Sequence, residues 1–300
     1  MKRILIRPTL SLLMLLLVCG TACAQPRPQV DESDVELMAP PQADTVQVMS
    51  AKMGRAITTV VIVPEQYYDP DLQEELFPVL YLLHGAWGQY NNWPTKADLD
   101  DLASNYSMII VCPDGQDSWY FDSPIDPKFQ FETFISKELV DYVDHHYRSF
   151  RSKDMRAITG LSMGGHGALW NGLRHPDVFG SVGSMSGGVD ITKFPDKWKI
   201  DKRLGPWASN QQRWTDHSVI NLVDRIKPGQ HIIIDDGYDD IFYEVNLKLH
   251  EALMKKKIPH DFIVRPGDHT WDYWVNSLDY HVLFFSKAFE EGAERMMEEN

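Results

Sequence analysis

The segment ITGLSMGGHGAL, residues 158–169, places a serine between glycines directly after an apolar run. Serine and glycine are poor helix formers, so their use just before a helical pattern indicates a requirement other than helix stability. A sharp turn from a strand into a helix needs flanking residues without side chains, and it pushes the central side chain out at the edge of the sheet. Gly160, Ser162 and Gly164 fit this G-x-S-x-G pattern, which predicts that Ser162 is a nucleophile.

A nucleophilic serine needs a base that removes its proton, usually a histidine oriented by a carboxylate. In a sheet with this turn, the acid and then the histidine follow the serine in the chain, both at strand ends. His269, in RPGDHTWDYW, follows a predicted strand across a Pro-Gly turn. The other histidines after the serine precede strands, lie in helices or follow no strand, so we expect His269 to be the base.

The acid is expected at the end of the preceding strand, in the segment IIIDDGYDDIFY. Four aspartates are placed there, and their spacing does not choose among them: Asp235, Asp236, Asp239 and Asp240. The aspartates that are not the acid are expected near the start of the next helix, where negative charge is favourable in any case.

Two backbone N–H groups are needed to bind the oxyanion of an acyl-transfer intermediate. Met163, the residue after the nucleophile, is expected to supply one, and Ala86 in the early loop LLHGAWG is the candidate for the other. No metal-ligand spacing such as H-E-x-x-H occurs, and the adjacent His145 and His146 would point to two different faces of a helix. The predicted chemistry is therefore acyl transfer without a metal or an organic cofactor.

Strand and helix patterns alternate over the rest of the chain, which predicts an α/β fold with a mostly parallel sheet and helices on both faces. The predicted strands are 57–64, 77–85, 107–115, 154–162, 180–188, 231–237 and 260–269. We expect one catalytic domain over residues 46–292. The segment 190–230 is rich in tryptophan and poor in strand signals, and it is predicted to be a cap or a long loop.

The amino-terminal residues have the order of an export signal, with basic residues, a short apolar run and then small residues. We predict a cleaved signal over residues 1–24 and an exposed acidic, proline-rich leader over residues 25–45. These features predict a secreted or periplasmic protein. The alternative is an outer-membrane lipoprotein anchored at Cys23.

Charge and cysteine content narrow the classes of partner. The net charge is −14, which argues against binding to nucleic acid or to an anionic membrane surface, so lipidation at Cys23 is the one predicted route to a membrane. Cys112 is the one cysteine that lies clear of the predicted signal, so no internal disulfide is expected.

Six segments occur in a defined order along the chain: LLHGAWG with NNW, CPDGQDSWYFDS, FETFISKELVDYVDHHYR, GLSMGGHGAL, DDGYDDIFYEVN and RPGDHTWDYW. Together they resemble the esterase D-like α/β-hydrolases, a family that includes tributyrin esterases, feruloyl esterases, S-formylglutathione hydrolases and, more distantly, mycolyltransferases. The resemblance covers residues 46–289 and implies the α/β-hydrolase fold. The family's C-G-T-x-D-x-x-Y pattern selects Asp240 as the acid, and its G-x-H-x-W pattern supports His269. One departure is Asp236, where the family usually has a small residue.

The resemblance implies a serine carboxylesterase that acts on short-chain, acetyl or feruloyl esters of a small molecule or a glycan, with plant polysaccharide as a candidate carrier. Three alternatives stay open: an acyltransferase to a sugar acceptor, an S-formylglutathione hydrolase-like thioesterase, and a binding protein with an inactive hydrolase fold. Four aromatic residues are the candidates for contacting the substrate: Trp87, Trp119, Tyr120 and Trp271.

Overall fold

The computed structural model of the protein describes residues 43–195 and 197–298, and in this part of the chain eight strands form one sheet. The strands are β1 (Asp44–Ser50), β2 (Arg55–Ile62), β3 (Val79–Leu83), β4 (Ile109–Pro113), β5 (Arg156–Gly160), β6 (Ser181–Met185), β7 (His231–Gly237) and β8 (Asp261–Arg265). Their order in the sheet is β1-β2-β4-β3-β5-β6-β7-β8. β1 pairs antiparallel with β2, and β2 pairs antiparallel with β4. The other six strands, from β3 to β8 in chain order, are parallel to one another.

Helices lie between the parallel strands, as the alternating pattern predicted. They are α1 (Asn92–Lys96), α2 (Leu99–Asn105), α3 (Phe131–Thr133), α4 (Val140–His146), α5 (Met163–Arg174), α6 (Ile200–Leu204), α7 (Trp207–Asp216), α8 (Tyr243–Lys255) and α9 (Trp271–Glu298). A π-helical turn, Phe134–Leu139, joins α3 to α4 without a break. The last helix, α9, ends at Glu298 and so continues past residue 292, where the domain was predicted to end.

The central strands are apolar at every position because both faces of the sheet are covered. In β3, Val79, Tyr81 and Leu83 belong to one buried cluster. Leu80 and Leu82, which point to the opposite face, belong to a second buried cluster. Helices thus lie on both sides of the sheet, which explains why this strand lacks the alternation of a half-exposed strand.

β1 was not predicted, and it begins at Asp44, inside the segment predicted as a leader. Its residues TVQVMS do alternate, but it is an edge strand in which Val48 and Ser50 are the buried positions. The apolar signal of so exposed a strand is weak. The signal at residues 1–24, Cys23 and most of the leader at 25–45 lie outside the described residues.

The described part of segment 190–230 contains short helices and no strand. It contains α6 and α7, flanked by the short 3-10 helices Ile191–Lys193 and Val219–Arg225. Trp214 is buried in the same cluster as the inner strands, so this segment packs onto the main core. No helix in the described part of the chain is both long and apolar enough to cross a bilayer.

Candidate active site

Ser162 lies at the turn between β5 and α5, as the G-x-S-x-G pattern predicted. Its backbone has φ 56° and ψ −117°, a conformation that costs energy for any residue other than glycine. Its N–H donates to Met185 O at 2.9 Å, and its carbonyl accepts from His166 N at 3.0 Å, so the turn is fixed on both sides. Its hydroxyl does not cap the helix. The side chain is therefore held at the carboxyl end of the sheet and is free for another partner.

Gly164 is required because α5 passes close to β3. A Cβ atom at this position would collide with the carbonyl oxygen of Leu83 and would lie 2.6 Å from that of His84. Both contacts are with backbone atoms, which cannot move without displacing the strand.

We expect Gly164→Ala to lower the free energy of unfolding by about 1–3 kcal/mol, because overpacking against β3 outweighs the gain in helix propensity of about 1 kcal/mol. Urea denaturation monitored by circular dichroism measures this change. Met163→Leu, which conserves volume in the same turn, is the control and is expected to change stability less. A Gly164→Ala protein as stable as the parent would show that the turn tolerates a side chain.

His269 joins Ser162 to an acid through both of its ring nitrogens. Its Nε2 lies 3.0 Å from Ser162 Oγ, and its Nδ1 lies 2.8 Å from Asp240 Oδ2. A carboxylate accepts hydrogen bonds and does not donate them, so Nδ1 carries the proton and Nε2 accepts from the serine hydroxyl. Edge contacts with Phe242 and Trp274 hold the ring from two sides.

Of the four aspartates left open by spacing, Asp240 is the one that contacts His269. Its other oxygen, Oδ1, accepts from the backbone N–H of Phe242 at 2.8 Å, so both oxygens have a defined partner. Asp235 binds Arg265 through Oδ2 at 2.7 Å. Asp239 is exposed, and Asp236 is buried with its side chain bonded to Asn246 instead.

The two predicted oxyanion donors come from two elements near Ser162: Met163 begins α5, and Ala86 lies in the loop after β3. Neither the N–H of Met163 nor that of Ala86 donates a hydrogen bond within the described residues. Gly85, just before Ala86, approaches the nucleophile so closely that a Cβ there would lie 3.3 Å from Ser162 Cβ. Both N–H groups are thus available next to the serine, as binding of an oxyanion requires.

His84 fixes the loop that carries Ala86. Its Nε2 accepts from the backbone N–H of Gly115 at 2.8 Å, so the proton is on Nδ1, which donates to Gly85 O at 2.8 Å. The hydroxyl of Tyr120 donates to the carbonyl of His84 at 3.1 Å. These bonds hold the backbone directly before the candidate donor, which preorganises it.

Trp119 and Tyr120, predicted to contact substrate, are instead buried. Their exposed fractions are 1% and 0%. Tyr120 packs under the loop of His84, and Trp119 donates from Nε1 to the carbonyl of Trp198 at 3.2 Å. Both have positive φ angles, so a tight loop turns these rings inward to the core. No local sequence pattern predicts this path of the loop.

Two loops at the carboxyl ends of the strands expose apolar side chains. Trp87, directly after Ala86, is 71% exposed and has a φ of 59°, which is unusual for so large a residue. Tyr238 and Ile241, on either side of Asp239 and Asp240, are 50% and 56% exposed. The fourth predicted aromatic, Trp271, is partly exposed and packs edge-on against Trp93 and Trp274.

The role of Asn246 was not predicted. It lies in the first turn of α8, and its Nδ2 donates to Gly187 O at 2.8 Å and to Phe242 O at 3.0 Å. It therefore ties the loop after β6 to the loop that carries Asp240. An asparagine in a helix carries no sequence signal for such a role, since the contact depends on how the helix docks.

The arrangement has what acyl transfer requires: a serine bonded to a histidine, the histidine bonded to a carboxylate, and two backbone donors beside the serine. Among the described residues, no three His, Cys, Asp or Glu side chains are grouped as metal ligands.

Comparisons with known proteins bear on the fold and the reaction class. A family model described as "Putative esterase" matches residues 50–285. The acetyl esterase of Caldicellulosiruptor saccharolyticus is 27% identical over 257 residues, which cover 79% of this chain and 96% of that protein. A ferulic acid esterase structure matches with a TM-score of 0.72 and 28% identity, covering 83% of this chain and 98% of that one.

The structure of an S-formylglutathione hydrolase from Staphylococcus aureus also matches, with a TM-score of 0.72 and 22% identity over 82% of this chain and 98% of that one. At this identity the likeness concerns the fold alone. Together with the strand order, these structures confirm the predicted α/β-hydrolase fold.

Proposed function

We propose that the protein, which belongs to the family described as "Putative esterase" and is a carboxylic ester hydrolase, works through Ser162, His269 and Asp240 as a catalytic triad. The observation that carries this proposal is the continuous hydrogen-bonded path from Ser162 Oγ through both ring nitrogens of His269 to Asp240 Oδ2. The substrates proposed are acetyl and feruloyl esters of a small molecule or a glycan.

In the acylation step, Ser162 Oγ attacks the ester carbonyl carbon while its proton passes to His269 Nε2. The carbonyl oxygen becomes negative and receives hydrogen bonds from the N–H groups of Met163 and Ala86. Asp240 stabilises the imidazolium that forms. When the tetrahedral intermediate collapses, the alcohol leaves with the proton from Nε2, and the acyl group stays on Ser162.

In the deacylation step, water takes the place of the alcohol. His269 Nε2 accepts a proton from the water, whose oxygen attacks the acyl carbon, and the same two backbone donors hold the new oxyanion. Collapse of this intermediate returns the proton to Ser162 Oγ and releases the carboxylic acid. A sugar hydroxyl in place of water would give acyl transfer, and added alcohol acceptors that compete with water would reveal it.

Two observations support the proposed acyl groups. The relatives include an acetyl esterase and a ferulic acid esterase, by their names. Trp87 supplies the physical argument, because a large exposed ring next to an oxyanion donor offers a flat surface to an aromatic acyl group.

Trp87→Ala tests this surface with two esters that share methanol as the alcohol. We expect kcat/KM for methyl ferulate to fall about tenfold, since aromatic pairs contribute about 0.5–1.5 kcal/mol beyond burial, while methyl acetate changes by less than about twofold. Trp87→Phe, which keeps a ring, is the control. An equal fall for both esters would assign Trp87 to the loop's structure and not to acyl selection.

We also propose that the protein is exported with removal of residues 1–24. The support is the order of basic, apolar and small residues at the amino terminus. The intact mass of protein recovered from the periplasm or medium tests it. A first residue of Gln25 is expected, and a lipid-modified Cys23 would favour the anchored alternative.

A further inference from the structure

Asp236, the penultimate residue of β7, is a second buried acid close to the site. Its side chain is fully buried, and its Oδ2 accepts from Asn246 Nδ2 at 2.7 Å. Its Oδ1 has no hydrogen-bond partner among the described residues, and neither has the hydroxyl of Ser186, a neighbour of this carboxyl. The Ser186 hydroxyl can donate to a carboxylate or accept from a protonated acid, so it fits either form of Asp236. An ionised Asp236 would, however, be a fully buried charge that forms no ion pair with a cation among the described residues.

Asp236 is linked to both halves of the site through Asn246. The same Nδ2 group donates to Gly187 O in the loop after β6 and to Phe242 O in the loop after β7. The N–H of Phe242 in turn donates to Asp240 Oδ1 at 2.8 Å. Next to Gly187, the N–H of Gly188 donates to the carbonyl of Ser162 at 3.3 Å. The carboxyl of Asp236 therefore anchors the amide that holds the acid-bearing loop.

The charges around Asp236 favour its neutral form. The charged groups that act on it are the carboxylates of Asp240 and of Asp235, whose side chain points to the opposite face of β7, and its neutral polar neighbours are Ser186 and Asn246. Asp235 already has its own cation, the Arg265 guanidinium. Burial raises the pKa of Asp236 to about 8, the Asp240 carboxylate adds to the rise, and the polar neighbours Ser186 and Asn246 moderate it.

We infer that Asp236 is a positioning residue that works as a neutral acid, anchoring Asn246 and keeping a second negative charge away from the Asp240–His269 pair. This inference rests on the proposed function of that pair. When Asp236 loses its proton, two like charges share one buried site, and their repulsion displaces the loop that carries Asp240. Activity should then fall on the alkaline side.

Asp236→Asn and Asp236→Ala separate the neutral-acid role from a purely structural one. The asparagine variant has the shape of the protonated acid, with one oxygen to accept from Asn246 and one donor toward Ser186. It should keep kcat/KM for p-nitrophenyl acetate within about twofold of the parent at neutral pH and hold it to about pH 9.5, where the parent falls about tenfold. The alanine variant should lose about tenfold in kcat at neutral pH with little change in KM.

Asp239→Asn is the matched control, because it makes the same substitution three residues further along the chain at an exposed position. It should keep the parent's alkaline fall. The inference is overturned if Asp236→Asn falls at high pH as the parent does, or if it is as damaged as Asp236→Ala at neutral pH.

Thermal melting as a function of pH tests the neutral acid without any catalysis. The pKa of Asp236 is raised from its ordinary value of 3.8 to about 8 in the folded protein, so its contribution to stability is full below the ordinary value and is lost as the pH rises to about 8. The melting temperature of Asp236→Asn relative to the parent should therefore rise over this interval. A difference in melting temperature that stays constant with pH would overturn the inference. A parent protein with no esterase activity at any pH would count against the proposed function alone.

Discussion

Ser162→Ala is expected to lower kcat for p-nitrophenyl acetate by about 10⁵-fold, leaving the small rate that binding and the oxyanion donors provide by themselves. The reason is that His269 Nε2, 3.0 Å from Ser162 Oγ, then has no hydroxyl from which to take a proton. The alanine keeps the backbone of the turn, and the removed hydroxyl makes no helix-capping bond, so the fold should be retained. Initial rates with the purified variant, corrected for spontaneous hydrolysis, measure the loss.

Ser136→Ala is the matched control. It also removes a buried serine hydroxyl from a helical segment, one that bonds to the carbonyl of Glu132 at 2.7 Å. It should keep the parent's kcat. A Ser162→Ala protein that retains more than about a tenth of the parent's activity would exclude this serine as the nucleophile, because removal of a nucleophile costs far more.

Asp240→Asn is expected to lower kcat by about 10⁴-fold with little change in stability. The N–H of Phe242 donates to Asp240 Oδ1, so in the variant the amide oxygen stays on that side and the amide NH₂ group faces His269. Nδ1 must then accept, and the ring proton moves to Nε2. A histidine protonated on Nε2 cannot accept the proton of Ser162, so the serine is not activated.

Asp268→Asn controls for charge, because it removes one exposed carboxylate directly before His269 in the chain. Its kcat should stay within about threefold of the parent, since an exposed charge is screened by solvent. If the two variants lost activity equally, the net charge near the histidine would matter and the tautomer would not.

Much of the fold could be predicted from the chain, because the inner strands of a parallel sheet are apolar at every position and the helices between them are amphipathic. β1 was missed for the opposite reason: as an exposed edge strand it buries few side chains. The helical nature of segment 190–230 was missed because its helices are short and are stabilised by packing, as with the buried Trp214, and not by a long apolar stripe.

The nucleophile and the base were predictable from their positions in the chain, since Ser162 and His269 follow strands whose carboxyl ends meet at one edge of the sheet. Spacing alone did not choose among the four aspartates. That choice came from the family pattern, and in the structure the contact with His269 agrees with it. Burial of Trp119 and Tyr120 depends on the path of one loop, and the part played by Asn246 depends on how α8 docks. Neither feature can be predicted from the local sequence.

The most direct test of the central claim is the site at which a fluorophosphonate probe attaches, read by mass spectrometry of peptides from the labelled protein. The account predicts one phosphonyl group per chain, on the peptide that contains Ser162, and much slower labelling of Asp240→Asn, because the probe reacts with a serine only when a base activates it. A protein that hydrolyses p-nitrophenyl acetate but takes the probe at another residue, or not at all, would contradict it.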